Sequence, residues 1–185
     1  MFRRASLTLG AIMLIAGIFY RPALCKAADD TTAGPQKEAE KPRDDKRASN
    51  HGIGGTTSTE RAVPAALVWL ANHQMPDGSW SLQNYTQRCI DKTCTGEGKG
   101  PADAGATAMG LLPFLAAGQT YKSKGPHKEH VCRGIDWLIA HQQPDGNLAK
   151  GASQMMYSHD LATIALAGAY ELSGDKPVGR AAQGR

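Results

Sequence analysis

The chain is short of single-sign charge where it matters. Residues 51–185 hold 12 basic and 11 acidic side chains, and the formal +4 of the 185-residue chain comes mostly from Arg3, Arg4 and Arg21 near its start. A nucleic-acid-binding domain concentrates Lys and Arg on one face, and that footprint is missing, so no nucleic-acid partner is expected. Long apolar runs are scarce too. The longest, Leu7 to Tyr20, is short for a membrane-spanning helix, which needs about 20 residues. Arg3 and Arg4 precede it and Ala23-Leu24-Cys25-Lys26-Ala27-Ala28 follows it. That is the layout of a signal peptide, residues 1–27, cut after Ala27 or Ala28. The expected location is therefore outside the cytoplasm, periplasmic or secreted, with membrane attachment only through an uncleaved anchor. Lys26 to Asn50 has no apolar residue except alanine and balances six basic against six acidic side chains. Such a stretch buries too little surface to offset the entropy of ordering, so residues 28–58 are expected to be a disordered charged linker.

Cysteine is sparse as well. Of four, three follow the expected cut: Cys89, Cys94 and Cys132. An exported chain meets an oxidising compartment, so a disulfide closing the short Cys89–Cys94 loop is the favoured pairing, with Cys132 left as a free thiol. A structural zinc site needs four tetrahedral ligands. Cys89-x4-Cys94 with Asp91 falls short of that, so no metal and no cofactor is expected.

What is present in abundance is self-similarity. WLANHQMPDGSW, Trp69 to Trp80, returns as WLIAHQQPDGNL, Trp137 to Leu148, 68 residues later. A fixed-period repeat decides the architecture before any local argument. In the first copy Val63, Leu67, Leu70, Ala71 and Gln74 share one helical face; in the second Val131, Ile135, Leu138, Ile139 and Gln142 do. Both follow i, i+4, i+7, i+8, i+11, the stripe of an amphipathic helix. Pro76-Asp77-Gly78 and Pro144-Asp145-Gly146 then stop the helices. The Gln side chain both donates and accepts, so it can tie the carbonyls at one helix end to the N–H groups at the next helix start. Trp80, two residues past Gly78, can cover that amide.

Between and after the copies lie two helices of another kind. The first runs from Asp103, a suitable N-cap, to about Ala117, and Ala106, Met109, Leu111, Leu112, Phe114 and Leu115 make it apolar on nearly every side, as in a buried helix. Pro113 is expected to bend or interrupt it. The second runs from about His159 to Leu172. Ala106-Thr107 aligns with Ala162-Thr163 at an offset of 56, so the first copy carries a loop 12 residues longer, in the region of Cys89 and Cys94. Insertions on repeat loops commonly carry local function. The fold expected is all-α: two hairpins, each an amphipathic outer helix followed by an apolar inner one, over residues 59–175. Arg180-Ala181-Ala182-Gln183, within residues 176–185, looks like the opening of a third outer helix.

Leu70-x3-Gln74-x3-Gly78-x-Trp80 resembles the QW repeat of squalene and hopene cyclases. Arg133-Gly134-x3-Leu138-x3-Gln142-x3-Gly146 does so too and adds the basic-Gly opening of that motif. The resemblance spans about Thr59 to Asp175 and implies the α/α toroid of terpene cyclases and prenyltransferase β subunits, here an incomplete one. The first copy departs from it, with Ala65-Ala66 near the place of the Arg-Gly opening, and the second has Leu148 where Trp is expected. In the family this motif is a structural brace.

The chemistry the family implies is absent from the sequence. There is no Asp-x-Asp-Asp acid: Asp29-Asp30 and Asp44-Asp45 lie outside the repeat domain. The Asp, Cys and His zinc set of prenyltransferases is not matched by Asp91 and Cys94. The best catalytic candidates are His159 and Asp160 at the expected start of the fourth helix, where capping by Ser158, His159 or Asp160 is the plainer role. Asp103 and Asp160 are the nearest approach to the paired carboxylates of a carbohydrate-active α/α barrel. His73 and His141, at equal positions before the Gln, are expected on the surface beside the brace. Asp77 and Asp145 are expected turn residues. Lys122, Lys124, His127, Lys128 and His130 are expected to form a solvated basic loop. The sequence thus favours an exported, non-catalytic repeat protein that packs on further α/α repeats or on itself, with an apolar ligand as another partner. The alternative is the amino-terminal part of a terpene-cyclase or prenyltransferase-type enzyme whose catalytic residues are not on this chain.

Overall fold

The computed structural model describes residues 57–184 apart from 97 and 153. The expected signal peptide, its expected cleavage site and residues 28–56 of the expected linker lie outside the described residues, as do the side chains of residues 57–60, whereas Thr57 and Ser58, expected in the linker, already belong to the first helix. Among the described residues there are helices and no strand. They are α1 (Thr57–Asn72), a 3-10 turn (Tyr85–Arg88), α2 (Asp103–Ala116), α3 (Lys128–His141), α4 (Met155–Ser173) and α5 (Lys176–Ala182). None is long and apolar enough to cross a membrane. The all-α architecture follows the expected hairpins: α1 with α2, then α3 with α4, and α5 after them.

The inner helices α2 and α4 form the principal packing pair. Small residues make that possible. Ala104, Ala108, Ala162, Ala165 and Ala169 are buried, and a methyl on Gly105 would come within 2.9 Å of Ser158 Oγ. Leu111, Phe114, Leu138 and Leu166 are fully buried where α2, α3 and α4 meet. Removing a buried Leu or Phe side chain typically costs about 2–5 kcal/mol, so this shared layer is the main support of the fold. α3 delivers the expected stripe, with Val131, Ile135 and Leu138 buried. α1 delivers it only at its second half. Leu67 and Ala71 are buried, whereas Val63 is 54% exposed, because α1 lies against the rest of the domain only near its C-terminal end.

Two boundaries differ from the sequence expectation. α4 starts at Met155, four residues before His159, so Ser158, His159 and Asp160 lie inside its first two turns and none of them caps it; the capping position is Gln154. Asp103 is likewise the first residue of α2, after Ala102, and makes no cap bond. Helix α2 also continues through Pro113. Proline lacks only its own N–H, and Pro113 and Met109, one turn earlier, are both exposed, so the unpaired carbonyl side faces water. Gly174 closes α4 with φ 65°, its N–H bonded to Tyr170 O at 2.7 Å. This left-handed cap suits glycine. Pro177 then sits at the start of α5, where its missing N–H removes nothing.

Candidate functional site

The repeat braces join consecutive outer helices. Gln74, 2% exposed, donates from Nε2 to Gly78 O and to His130 O, both at 2.9 Å. Its Oε1 accepts from His130 Nδ1 at 2.8 Å. The Gln therefore ties its own turn to the first turn of α3 through a carbonyl and a histidine, where backbone N–H groups were expected. Gln142 repeats the scheme: Nε2 donates to Gly146 O at 3.2 Å and to Ala181 O on α5 at 2.8 Å. The glycines follow suit. Gly78 (φ 98°) presses on Arg133 O, where a Cβ would come within 2.6 Å, and Gly146 (φ 83°) presses on Gly184 O, where it would come within 2.9 Å. Ala181 is thus the counterpart of His130, and α5 occupies the position of a third outer helix.

The Arg-Gly opening of the second copy serves the first copy's turn. Arg133 donates to Met75 O at 2.8 Å and Pro76 O at 2.6 Å. Trp137 Nε1 donates to Asp77 Oδ2 at 3.1 Å, and Asp77 also accepts from Ser79 N–H and Oγ–H. Burial pushes the Asp77 carboxyl up, but these hydrogen bonds outweigh it and hold the pKa below the ordinary value. Asp77 and Asp145 are turn residues, as expected: each accepts from the backbone N–H two residues on. Gly134 leaves room for Leu111 and Trp80, which a methyl would meet at 2.8 and 3.0 Å. Trp80 is buried, donates from Nε1 to Leu70 O at 2.8 Å, and lies against Gly110. Its backbone N–H donates to Thr107 Oγ1 at 3.0 Å. Leu148, in the place of Trp, is also buried, and its N–H donates to His159 Nδ1 at 3.2 Å. His159 is therefore an anchor for the second turn, equivalent to Thr107 in the first.

Nδ1 of His159 accepts a backbone proton, so it is not available as a base. Asp160 is exposed. Asp103 carries a buried oxygen with no partner, Oδ1, on α2, and no bond brings it to Asp160. The nearest concavity is an open cleft of about 510 Å³ lined by Asp145, Asn147, Met155, Met156, His159 and Gln183 among others. It has no paired carboxylates of the kind a glycosidase needs. The expected basic loop is also less basic than its composition. His127 lies 5.1 Å from the Phe114 ring, and His130 is built into the Gln74 brace. Burial pushes both imidazoles below the ordinary pKa, with Arg133 adding repulsion at His130.

The inserted loop departs from the disulfide expected in it. Cys89 and Cys94 are both free thiols, so the expected disulfide is not formed. Cys89 Sγ–H donates to Asp91 Oδ1 at 2.9 Å and accepts from Cys94 N–H at 3.4 Å, while Cys94 Sγ lies 3.3 Å from His73 Nε2. The mutual contact of the two thiols, with burial second, raises the pKa of Cys94, and the Cys89 thiol is the largest influence lowering that of Asp91. Cys132 is buried on α3 and is not one of the free thiols. His73 is the residue that sequence reasoning missed. It is 3% exposed rather than at the surface. The insertion folds back over it: Arg88 Nε donates to Gln74 O at 3.0 Å, Tyr85 lies 6.4 Å from the imidazole, and Tyr85 Oη–H closes the loop on Gly96 O at 2.9 Å. The signal was present in the 12-residue length excess beside a histidine.

The family model for the squalene-hopene cyclase C-terminal domain matches residues 51–155. The chain belongs to that family. No curated protein and no solved structure matches the chain.

Proposed function

We propose that this chain is an exported, non-catalytic α/α repeat module whose inner helices dock onto the inner helices of a second copy of the chain. One observation carries the reading: the far side of the inner pair is apolar and uncovered. Met156 is 67% exposed, Tyr157 58%, Ile164 55% and Met109 53%. Tyr157 and Ile164 recur at i and i+7 along α4, away from the alanine stripe that packs on α2. Large apolar side chains left exposed in this way mark an interaction surface. A second copy presents the same exposed Met109, Met156, Tyr157 and Ile164, so a two-fold pairing sets apolar surface against apolar surface. Support for the non-catalytic part comes from His159, whose Nδ1 is occupied by Leu148 N–H, and from the lack of an Asp-x-Asp-Asp acid. Support for export comes from Arg3, Arg4 and the apolar run Leu7 to Tyr20.

Sedimentation velocity of the chain from residue 28 to 185 tests the docking, with Ile164→Glu as the probe. The expected result is a concentration-dependent dimer that the substitution abolishes while helicity is unchanged. A monomer at every concentration overturns the docking reading, and turnover of an isoprenoid substrate overturns the non-catalytic one. Amino-terminal sequencing of the protein recovered outside the cytoplasm should begin at Ala28 or Asp29; a chain that still carries Met1 contradicts cleavage.

A further inference from the structure

The two repeats offer a natural control for the histidine that the insertion buries. His73 stacks on Trp69 with ring centroids 3.8 Å apart and an interplanar angle of 22°, and His141 stacks on Trp137 at 3.9 Å and 21°. Nδ1 of His73 lies 2.7 Å from Trp69 O, and Nδ1 of His141 lies 2.8 Å from Trp137 O. A carbonyl oxygen only accepts, so each Nδ1 carries the proton and each Nε2 presents a lone pair. The scaffold therefore holds the same tautomer and ring orientation twice. At His141 that lone pair belongs to an exposed ring. At His73 it faces sulfur: the ligand atoms of His73, Cys89 and Cys94 all lie within 4.8 Å of one another.

We propose that His73, Cys89 and Cys94 bind a zinc ion. Zinc takes Cys sulfur at about 2.3 Å and His nitrogen at about 2.0–2.1 Å in a tetrahedron, which puts ligand atoms roughly 3.5–3.8 Å apart, so the three groups need to close by no more than about an ångström. A thiolate and imidazole set suits a borderline-soft ion and discriminates against calcium and magnesium. The Nδ1–H···O=C bond to Trp69 is the outer contact that metal-bound histidines usually make, fixing Nε2 as the ligand. The Cys94 N–H, 3.4 Å from Cys89 Sγ, is a donor to a thiolate. The turn between the cysteines carries Lys92 at φ 56°, a left-handed conformation uncommon for a side-chain-bearing residue, and it brings the two sulfurs to one side. Binding exchanges one Zn²⁺ for two protons, one from each thiol, and leaves a neutral Cys₂His set with its fourth position open to water. Ions held by three protein ligands and an open position can bind further groups, which sets this site apart from a closed structural one.

The test is metal retention by the reduced full chain after loading with Zn²⁺ and desalting. Co²⁺ then replaces zinc, to reveal thiolate coordination by its charge-transfer absorption. One zinc per chain, with two protons released per ion, is expected. Cys94→Ser and His73→Ala should each weaken binding by more than about a hundredfold, beyond the tenfold to hundredfold of an outer contact, while His141→Ala leaves it unchanged. Cys94 is partly exposed, so Cys94→Ser tests the site even if loss of the buried imidazole disturbs folding; circular dichroism checks both. Failure of the reduced chain to retain zinc overturns the proposal. So does equal retention by Cys94→Ser, or a Cys89–Cys94 disulfide that forms despite stoichiometric zinc. None of these outcomes bears on self-association.

Discussion

His73 and His141 hold the same place in two copies of one motif, stack on the same tryptophan position and make the same backbone bond, yet one is buried against two thiols and the other is exposed. The difference lies entirely outside the motif, in a loop that one copy has and the other lacks. A repeat brace makes its surroundings reproducible, and a reproducible scaffold lets an insertion add a new environment without altering the packing beneath. The same contrast appears at the next step. Trp80 and Leu148 fill equivalent buried positions, and each hands its backbone N–H to a side chain of the inner helix, Thr107 in one case and His159 in the other.

The strongest way to break this equivalence is to empty both positions. Trp80→Ala should destabilise by about 3–5 kcal/mol, because Gly110 and Gly134 are both shaped around the indole, and Leu148→Ala by about 2–3 kcal/mol. Chemical denaturation of both variants checks this, and a larger loss at Leu148 would show that the second turn is the more tightly packed. A smaller effect is expected where the inner helix of the second copy ends. Tyr121 Oη–H donates to Asp175 Oδ2 at 2.5 Å, and burial first, then this bond, pushes the phenol up to about 12. A raised folded-state pKa favours the protonated fold, so this contribution is complete below pH 10 and is lost as pH rises towards 12. Tyr121→Phe should cost about 1–2 kcal/mol at neutral pH and flatten the alkaline limb of the stability curve. The smallest effect belongs to His130, present in the first brace and replaced by Ala181 in the second. Its folded pKa is depressed below 6.5, so the fold is favoured by the neutral ring above that value and loses stability as pH falls through the depressed one. Thermal melts at descending pH should show a step that His130→Gln removes.

Much of this was legible in the sequence. The 68-residue offset located both braces, the apolar composition of residues 103–117 marked an inner helix, and Arg180-Ala181-Ala182-Gln183 pointed to the third outer helix that Gln142 contacts. What escaped notice depends on non-local packing. Repeat symmetry assigned His73 the environment of His141, and symmetry fails where an insertion covers one copy. Arg133 reads as the start of a motif, although its guanidinium serves the turn of the preceding copy. Met155, Met156 and Tyr157 start α4 four residues early, which turns His159 from a cap or base into an anchor inside the helix. Exposed Val63 shows that an amphipathic stripe is buried only where something lies beneath it.

The most direct measurement of the brace account is a matched pair of unfolding free energies, Gln74→Ala against Gln142→Ala. Gln74 is buried and makes three bonds, one of them to His130, whereas Gln142 is half-buried and makes two. At about 1 kcal/mol for each bond lost, with more where a buried partner is left unsatisfied, Gln74→Ala should cost about 3 kcal/mol and Gln142→Ala about 1–2 kcal/mol. Losses within the few tenths typical of an exposed control such as Gln87→Ala would contradict the claim that these two glutamines hold the outer helices together.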